Sequence, residues 1–161
     1  MALHAVVAAF PVLAPKVDEW RERTCGSKPS HGVPPHVTLL HPAPPDLDAI
    51  RDVVAPFAPF DVAFGSFARF PGTLWLAPEP AKPFFALIEA LTRRFPDWPP
   101  YGGGFDQIVP HLTVAQDDFD AVEAALQPQL PLAARVDRVV VLEKPEPNRW
   151  RDVAWFPLEG N

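Results

Sequence analysis

The chain has 161 residues, enough for one compact domain or two small fused lobes, and 48% of them are apolar, including 12 Phe and 5 Trp, so it can bury a core and is not disordered. A net charge of −6, with 14 basic against 20 acidic residues, is the wrong footprint for gripping long nucleic acid, although it leaves a small nucleotide or an RNA end open. The lone Cys25 excludes a disulfide framework and a Cys-rich zinc site. Pro11, Pro15 and Lys16 interrupt the apolar N-terminus and no apolar run is long enough to span a membrane, so a cytoplasmic protein with no signal peptide and no membrane association is expected.

The apolar run 2–10 predicts a buried strand, 16–24 a short helix, and 25–35 a loop rich in Gly, Ser and Pro. Residues 36–40 (HVTLL) predict a strand. Asp46 is a good N-cap for a helix running to about Ala55, with Pro56 just beyond it. Residues 60–70 alternate as a strand does. The same order then returns: a strand at 73–77, a helix at 82–95 with Pro83 in its first turn, a loop at 96–110 containing three consecutive glycines, and a strand at 111–115. Asp118 caps a helix ending before Pro128, and strands follow at 132–142 and 152–158. The 23 prolines fall largely in pairs such as Pro34-Pro35, Pro44-Pro45 and Pro99-Pro100, where they punctuate rigid loops.

The recurrence holds at residue level. Asp46-Leu-Asp-Ala-Ile and Asp118-Phe-Asp-Ala-Val each follow a Pro-His-apolar-Thr strand, and in each case a proline lies ten residues past the cap. The two histidines are 75 positions apart and the two caps 72, so one linker is three residues shorter. Strand and helix matching in order predict two related βαβαβ lobes, about 1–71 and 72–161.

The motifs are Pro35-His36-Val37-Thr38 and Pro110-His111-Leu112-Thr113. Side chains alternate along a strand, so His36 and Thr38 share one face while Val37 and Leu39 face the core; His111 and Thr113 stand in the same relation to Leu112 and Val114. Each strand therefore offers an imidazole and a hydroxyl about 7 Å apart. Imidazole titrates near neutrality, so one His can take a proton while another gives one. Two hydroxyls can hydrogen-bond the non-bridging oxygens of a phosphate as charge develops at phosphorus. Such a set needs no metal. Random placement of five His and five Thr would give roughly 0.16 His-x-Thr occurrences. Two occur here, both preceded by Pro and both with apolar residues at the alternate positions.

On these residues, His36-Val37-Thr38-Leu39 and His111-Leu112-Thr113-Val114, the chain resembles the 2H phosphoesterase superfamily, which includes 2′-5′ RNA ligase-like proteins and cyclic nucleotide phosphodiesterases. The resemblance covers essentially the whole chain and is nearest in character to small bacterial members. It implies an α+β fold: a single domain of two pseudo-symmetric βαβαβ lobes with antiparallel-rich sheets flanking a central cleft. It implies hydrolysis of a 2′,3′-cyclic phosphate or related cyclic or 2′-5′ phosphodiester of a nucleotide or RNA end. His36, Thr38, His111 and Thr113 would be the catalytic set, with His111 as base and His36 as acid. Neither metal nor cofactor is expected, and no obligate protein partner.

Among other residues, Tyr101 beside the glycines is a candidate lid stacking on a base, and Arg149 and Trp150, in the turn before the last strand, are candidates for binding phosphate and base. The competing reading for each is an ordinary loop. His4 reads as packing, His31 as an exposed loop residue, and His41 as facing away from His36. Trp75 reads as core, and Arg93 and Arg94 as a helix C-terminus complementing the dipole. Three rivals remain: a nucleotide- or RNA-end-binding protein of the same fold without turnover, a metal site on His36 and His111, and an interaction protein. The last requires the two histidines to lie far apart.

Overall fold

A computed structural model describes residues 2–104 and 108–161. Eight strands form one sheet in the order β6-β3-β4-β5-β2-β1-β7-β8, with every neighbouring pair antiparallel. They are β1 (Leu3–Ala9), β2 (His36–Leu40), β3 (Phe60–Phe70), β4 (Thr73–Glu79), β5 (Leu112–Ala115), β6 (Leu132–Val136), β7 (Arg138–Glu146) and β8 (Arg149–Pro157). The four helices are α1 (Ala14–Thr24), α2 (Leu47–Val54), α3 (Lys82–Arg94) and α4 (Phe119–Leu126). The fold is α+β, and its sheet is antiparallel, as expected.

The core explains the register. Val6, Ala8, Val37, Leu39, Leu74, Leu76, Leu112 and Val114 point to one face of the sheet and meet apolar residues of all four helices. A slip of one residue in β2 would bury His36 and Thr38 and expose Val37 and Leu39, so burial of the aliphatic set holds the polar set on the other face. That other face carries a smaller apolar cluster of Ala5, Val7, Val140 and Leu142.

The stretch 132–142, read from sequence as one strand, is two. The chain leaves β6 at Val136 and enters β7 at Arg138, with only Asp137 between. β6 is one edge of the sheet and β7 lies next to the opposite edge. A single linking residue can join them only because the sheet curls until its ends approach; the Asp137 carbonyl also accepts from the N–H of Leu158 at 2.8 Å. Backbone extended on both sides of Asp137, with no Gly or Pro, leaves no sequence signal for the break. A second consequence is strand exchange. β3, from the first half of the sequence, pairs with β4 of the second, while β7 of the second half pairs with β1 of the first. The turn at the sequence boundary, Pro71-Gly72, is a tight hairpin turn in which Gly72 has φ +77°, a conformation that favours glycine.

The helix caps are not equivalent. Asp46 accepts from the Ala49 N–H at 3.1 Å, as expected of an N-cap. Asp118 occupies the matching position of α4 but has φ +54° and makes no side-chain cap bond, which corrects the expectation of a second Asp cap.

Candidate active site

The centre of the sheet is where β2 meets β5, with Val37 opposite Leu112. Continuing that antiparallel register puts His36 beside Thr113 and Thr38 beside His111. The pattern is symmetric about the Val37–Leu112 pair: two imidazoles and two hydroxyls, diagonally disposed, on strands roughly 4.8 Å apart. All four side chains line one cavity of about 280 Å³. His111 itself lies one residue before β5.

The two histidines are held alike. The His36 Nδ1 lies 2.8 Å from the Pro34 carbonyl, and the His111 Nδ1 lies 2.7 Å from the Val109 carbonyl. A carbonyl can only accept, so each Nδ1 carries the proton, and Nε2 is the nitrogen left with a lone pair for chemistry. Burial pushes the His36 imidazole down to about 4, opposed by the Pro34 carbonyl and reinforced by the positive charge of Arg21 and by the neighbouring His111 and His41. His111 is lowered too, by burial, with the Val109 carbonyl opposing. Both rings are therefore predominantly neutral at pH 7.

Three further groups shape the walls. Tyr101 lines the cleft, with φ +52° and its N–H bonded to the His41 carbonyl at 2.6 Å. Its hydroxyl interacts with Thr38, while burial raises its pKa. Trp150 lines the same side, its ring 5.9 Å from that of His41. Gly32 lets the loop before β2 press against β8: a Cβ there would fall 2.1 Å from the Trp150 carbonyl oxygen, and its φ of +84° also favours glycine. Arg149 is exposed, opens β8 rather than the turn before it, and is not part of the cavity wall.

Sequence reading missed three residues here. His41 lines the cavity although strand alternation would turn it away, because β2 ends at Leu40 and alternation stops with it. Arg21 lines the cavity from α1; a single arginine among the charges of a short helix carries no sequence signal of burial. Gln116 also lines it, accepting from the Gly26 N–H at 2.7 Å. Trp75 is buried in β4 as expected, yet it also touches the site: its ring and that of Phe70 lie 5.8 and 5.1 Å from the His111 ring. His4 pairs with Glu143 at 3.1 Å, and His31 stands outside the cavity.

No carboxylate lines the cavity among the described residues, although the protein as a whole is acidic, and the one charged residue that lines it is Arg21. Among the described residues no three His, Cys, Asp or Glu side chains are grouped as around a metal ion. No helix among them is long and apolar enough to cross a membrane.

A curled antiparallel sheet presenting two His-x-Thr pairs across one cleft defines the two-histidine class of phosphoesterase. The family model of the 2′-5′ RNA ligase superfamily matches residues 9–148, and the chain belongs to that superfamily, the 2H phosphoesterases. No curated protein matches the sequence significantly. Among solved structures the chain is similar to TT0787 of Thermus thermophilus, at 19% identity over 99% of both chains with a TM-score of 0.68. It is also similar to E. coli LigT complexed with 3′-AMP, at 15% identity over 97% of both chains with a TM-score of 0.64. LigT complexed with NADP+ matches at 18% identity over 97% of this chain and 96% of that one, with a TM-score of 0.61. At these identities the likeness is one of fold.

Proposed function

We propose that the protein is a metal-independent phosphodiesterase that opens a 2′,3′-cyclic phosphate, or a related cyclic or 2′-5′ phosphodiester, on a small nucleotide or an RNA end. The observation that carries this reading is the symmetric pairing of His36 with Thr113 and of Thr38 with His111 in one carboxylate-free cavity. In-line displacement at phosphorus needs a base on the side of the attacking water and an acid on the side of the leaving oxygen. The two imidazoles supply these from opposite sides, and the two hydroxyls bond the non-bridging oxygens between them. Water adds to phosphorus and gives its proton to one His; the ribose oxygen leaves and takes a proton from the other. The product is a phosphomonoester with one hydroxyl freed.

The geometry is symmetric and the electrostatics are not. Burial holds His36 down to about 4, with the Arg21 charge reinforcing it. That difference does not set the roles, and we keep the order the resemblance implies, with His111 as base and His36 as acid. Tyr101 and Trp150, on one side of the cleft, are the surfaces for a nucleobase. The cavity, about 280 Å³, favours one small ligand over a polymer. Crystals of E. coli LigT, of the same fold, hold 3′-AMP, NADP+, ATP or phosphate, which supports a nucleotide ligand.

A panel of 2′,3′-cyclic, 3′,5′-cyclic and 2′-5′-linked substrates, each with and without chelator, tests this reading. Turnover of the 2′,3′-cyclic nucleotides at an unchanged rate in chelator is expected. Loss of activity in chelator with restoration by zinc would replace the reading by a metal site. Tight binding with no turnover anywhere in the panel would make the protein a binding module.

A further inference from the structure

Tyr101 is the one tyrosine of the chain, and it reaches the cavity from the loop after α3. Its backbone lies in the left-handed region at φ +52°, and Gly102 and Gly103 follow at +69° and +81°. An aromatic residue seldom takes that conformation, which persists only where other contacts hold it. Three contacts do so here, and all come from one stretch of chain. The Tyr101 N–H donates to the carbonyl of His41, the residue that follows β2, at 2.6 Å. Its ring meets the His41 ring edge-on, with centroids 6.2 Å apart. Its hydroxyl is hydrogen-bonded to the side chain of Thr38, within β2. Tyr101 is thus docked along the end of the first motif strand, with its polar tip on a motif hydroxyl.

A threonine hydroxyl has one proton to give and lone pairs that accept. When Thr38 gives its proton to a phosphate oxygen, its own oxygen is free to accept from a second donor. Burial raises the Tyr101 phenol, so it is protonated near neutrality and able to donate. The bonds from the Tyr101 O–H to Thr38 Oγ1, and from the Thr38 O–H to a non-bridging oxygen, form a chain in which each polarises the next. Thr113 has no counterpart to this donor, since the sequence holds no second tyrosine. We propose that Tyr101 is a positioning residue of the phosphate subsite: its hydroxyl donates to Thr38 Oγ1 and turns the Thr38 proton towards the bound phosphate, while its ring remains a face for a nucleobase. The inference rests on the reading above, in which Thr38 and Thr113 hold a phosphate, but it needs no turnover.

The test is calorimetric titration of inorganic phosphate into the parent protein, Tyr101→Phe, Thr38→Ala, Thr113→Ala and the two double variants that combine Y101F with each threonine change. Y101F keeps the ring and the backbone contact with His41, so a role confined to stacking or to the fold predicts no change in phosphate binding. The proposal predicts a Kd weakened roughly 3–10-fold, the worth of one hydrogen bond. It also predicts coupling: adding Y101F to T38A should change Kd by less than about twofold, whereas adding it to T113A should cost the full factor. Phosphate bound by Y101F as tightly as by the parent would overturn the proposal, and so would equal effects of Y101F in the two threonine backgrounds. If a threonine variant no longer binds phosphate, the effect of Y101F alone decides. A parent that binds no phosphate would overturn both the proposal and the phosphate subsite beneath it. A parent that shows the coupling but turns over no 2′,3′-cyclic nucleotide would overturn the phosphodiesterase reading alone.

Discussion

The chemistry turns on single atoms. Each motif imidazole spends its Nδ1–H on a carbonyl two residues back, at 2.8 Å for His36 and 2.7 Å for His111, which leaves Nε2 as the nitrogen with a free lone pair. The titration of the pair follows, with the sign set by role. A base must be unprotonated, so its activity limb rises with pH through its pKa; an acid must be protonated, so its limb falls. With His36 near 4 and His111 depressed from 6.5, kcat/KM is predicted to be bell-shaped with a maximum on the acid side of neutrality. A profile rising without a maximum to pH 9 would contradict acid–base action by the pair. Legibility at this scale was uneven. His36, Thr38, His111 and Thr113 could be read because strand alternation converts spacing into direction. His41 and Arg21 could not: one sits past the end of its strand, the other is buried by a loop folding over its helix. Arg149 reads from sequence as lying with Trp150 in the turn before the last strand, but it is exposed at the start of β8 while Trp150 reaches the cavity wall.

At the scale of elements, repeated sequence did not give repeated structure in every detail. α2 and α4 both follow a motif strand and both have Asp at the cap position, but only Asp46 makes the cap bond. Asp46→Ala should therefore destabilise by ~1 kcal/mol in urea unfolding. Asp118→Gly should cost nothing or stabilise slightly, because Asp118 has no cap bond to lose and glycine relieves φ +54°. Equal losses at the two positions would show that the caps are equivalent after all. Helices and strands were legible from their periodicity because each has one apolar face. The β6–β7 break was not, since the chain stays extended through it and only the pairing partners change. The same limit applies to the sheet order: alternation tells which face a residue takes, not which strand lies beside it.

At the scale of the whole molecule, the expected α+β class and central cleft are present, built on a single sheet. The exchange of β3 and β7 interleaves the two sequence halves, and the curl brings the β6 edge close to β7, next to the opposite edge, at Asp137. The β2–β5 junction lies at the centre of this sheet, and the symmetry of the account rests there: two strands from two halves of the sequence place two His and two Thr on one cavity. The measurement that tests this most directly is turnover of a 2′,3′-cyclic nucleotide by His36→Ala and His111→Ala, each shown to be folded by circular dichroism. Each variant should lose at least ~10²-fold in kcat, and the double variant should lose little more than the worse single one, because the two rings act as a unit on one phosphate. Parent-level turnover in either variant would contradict the account.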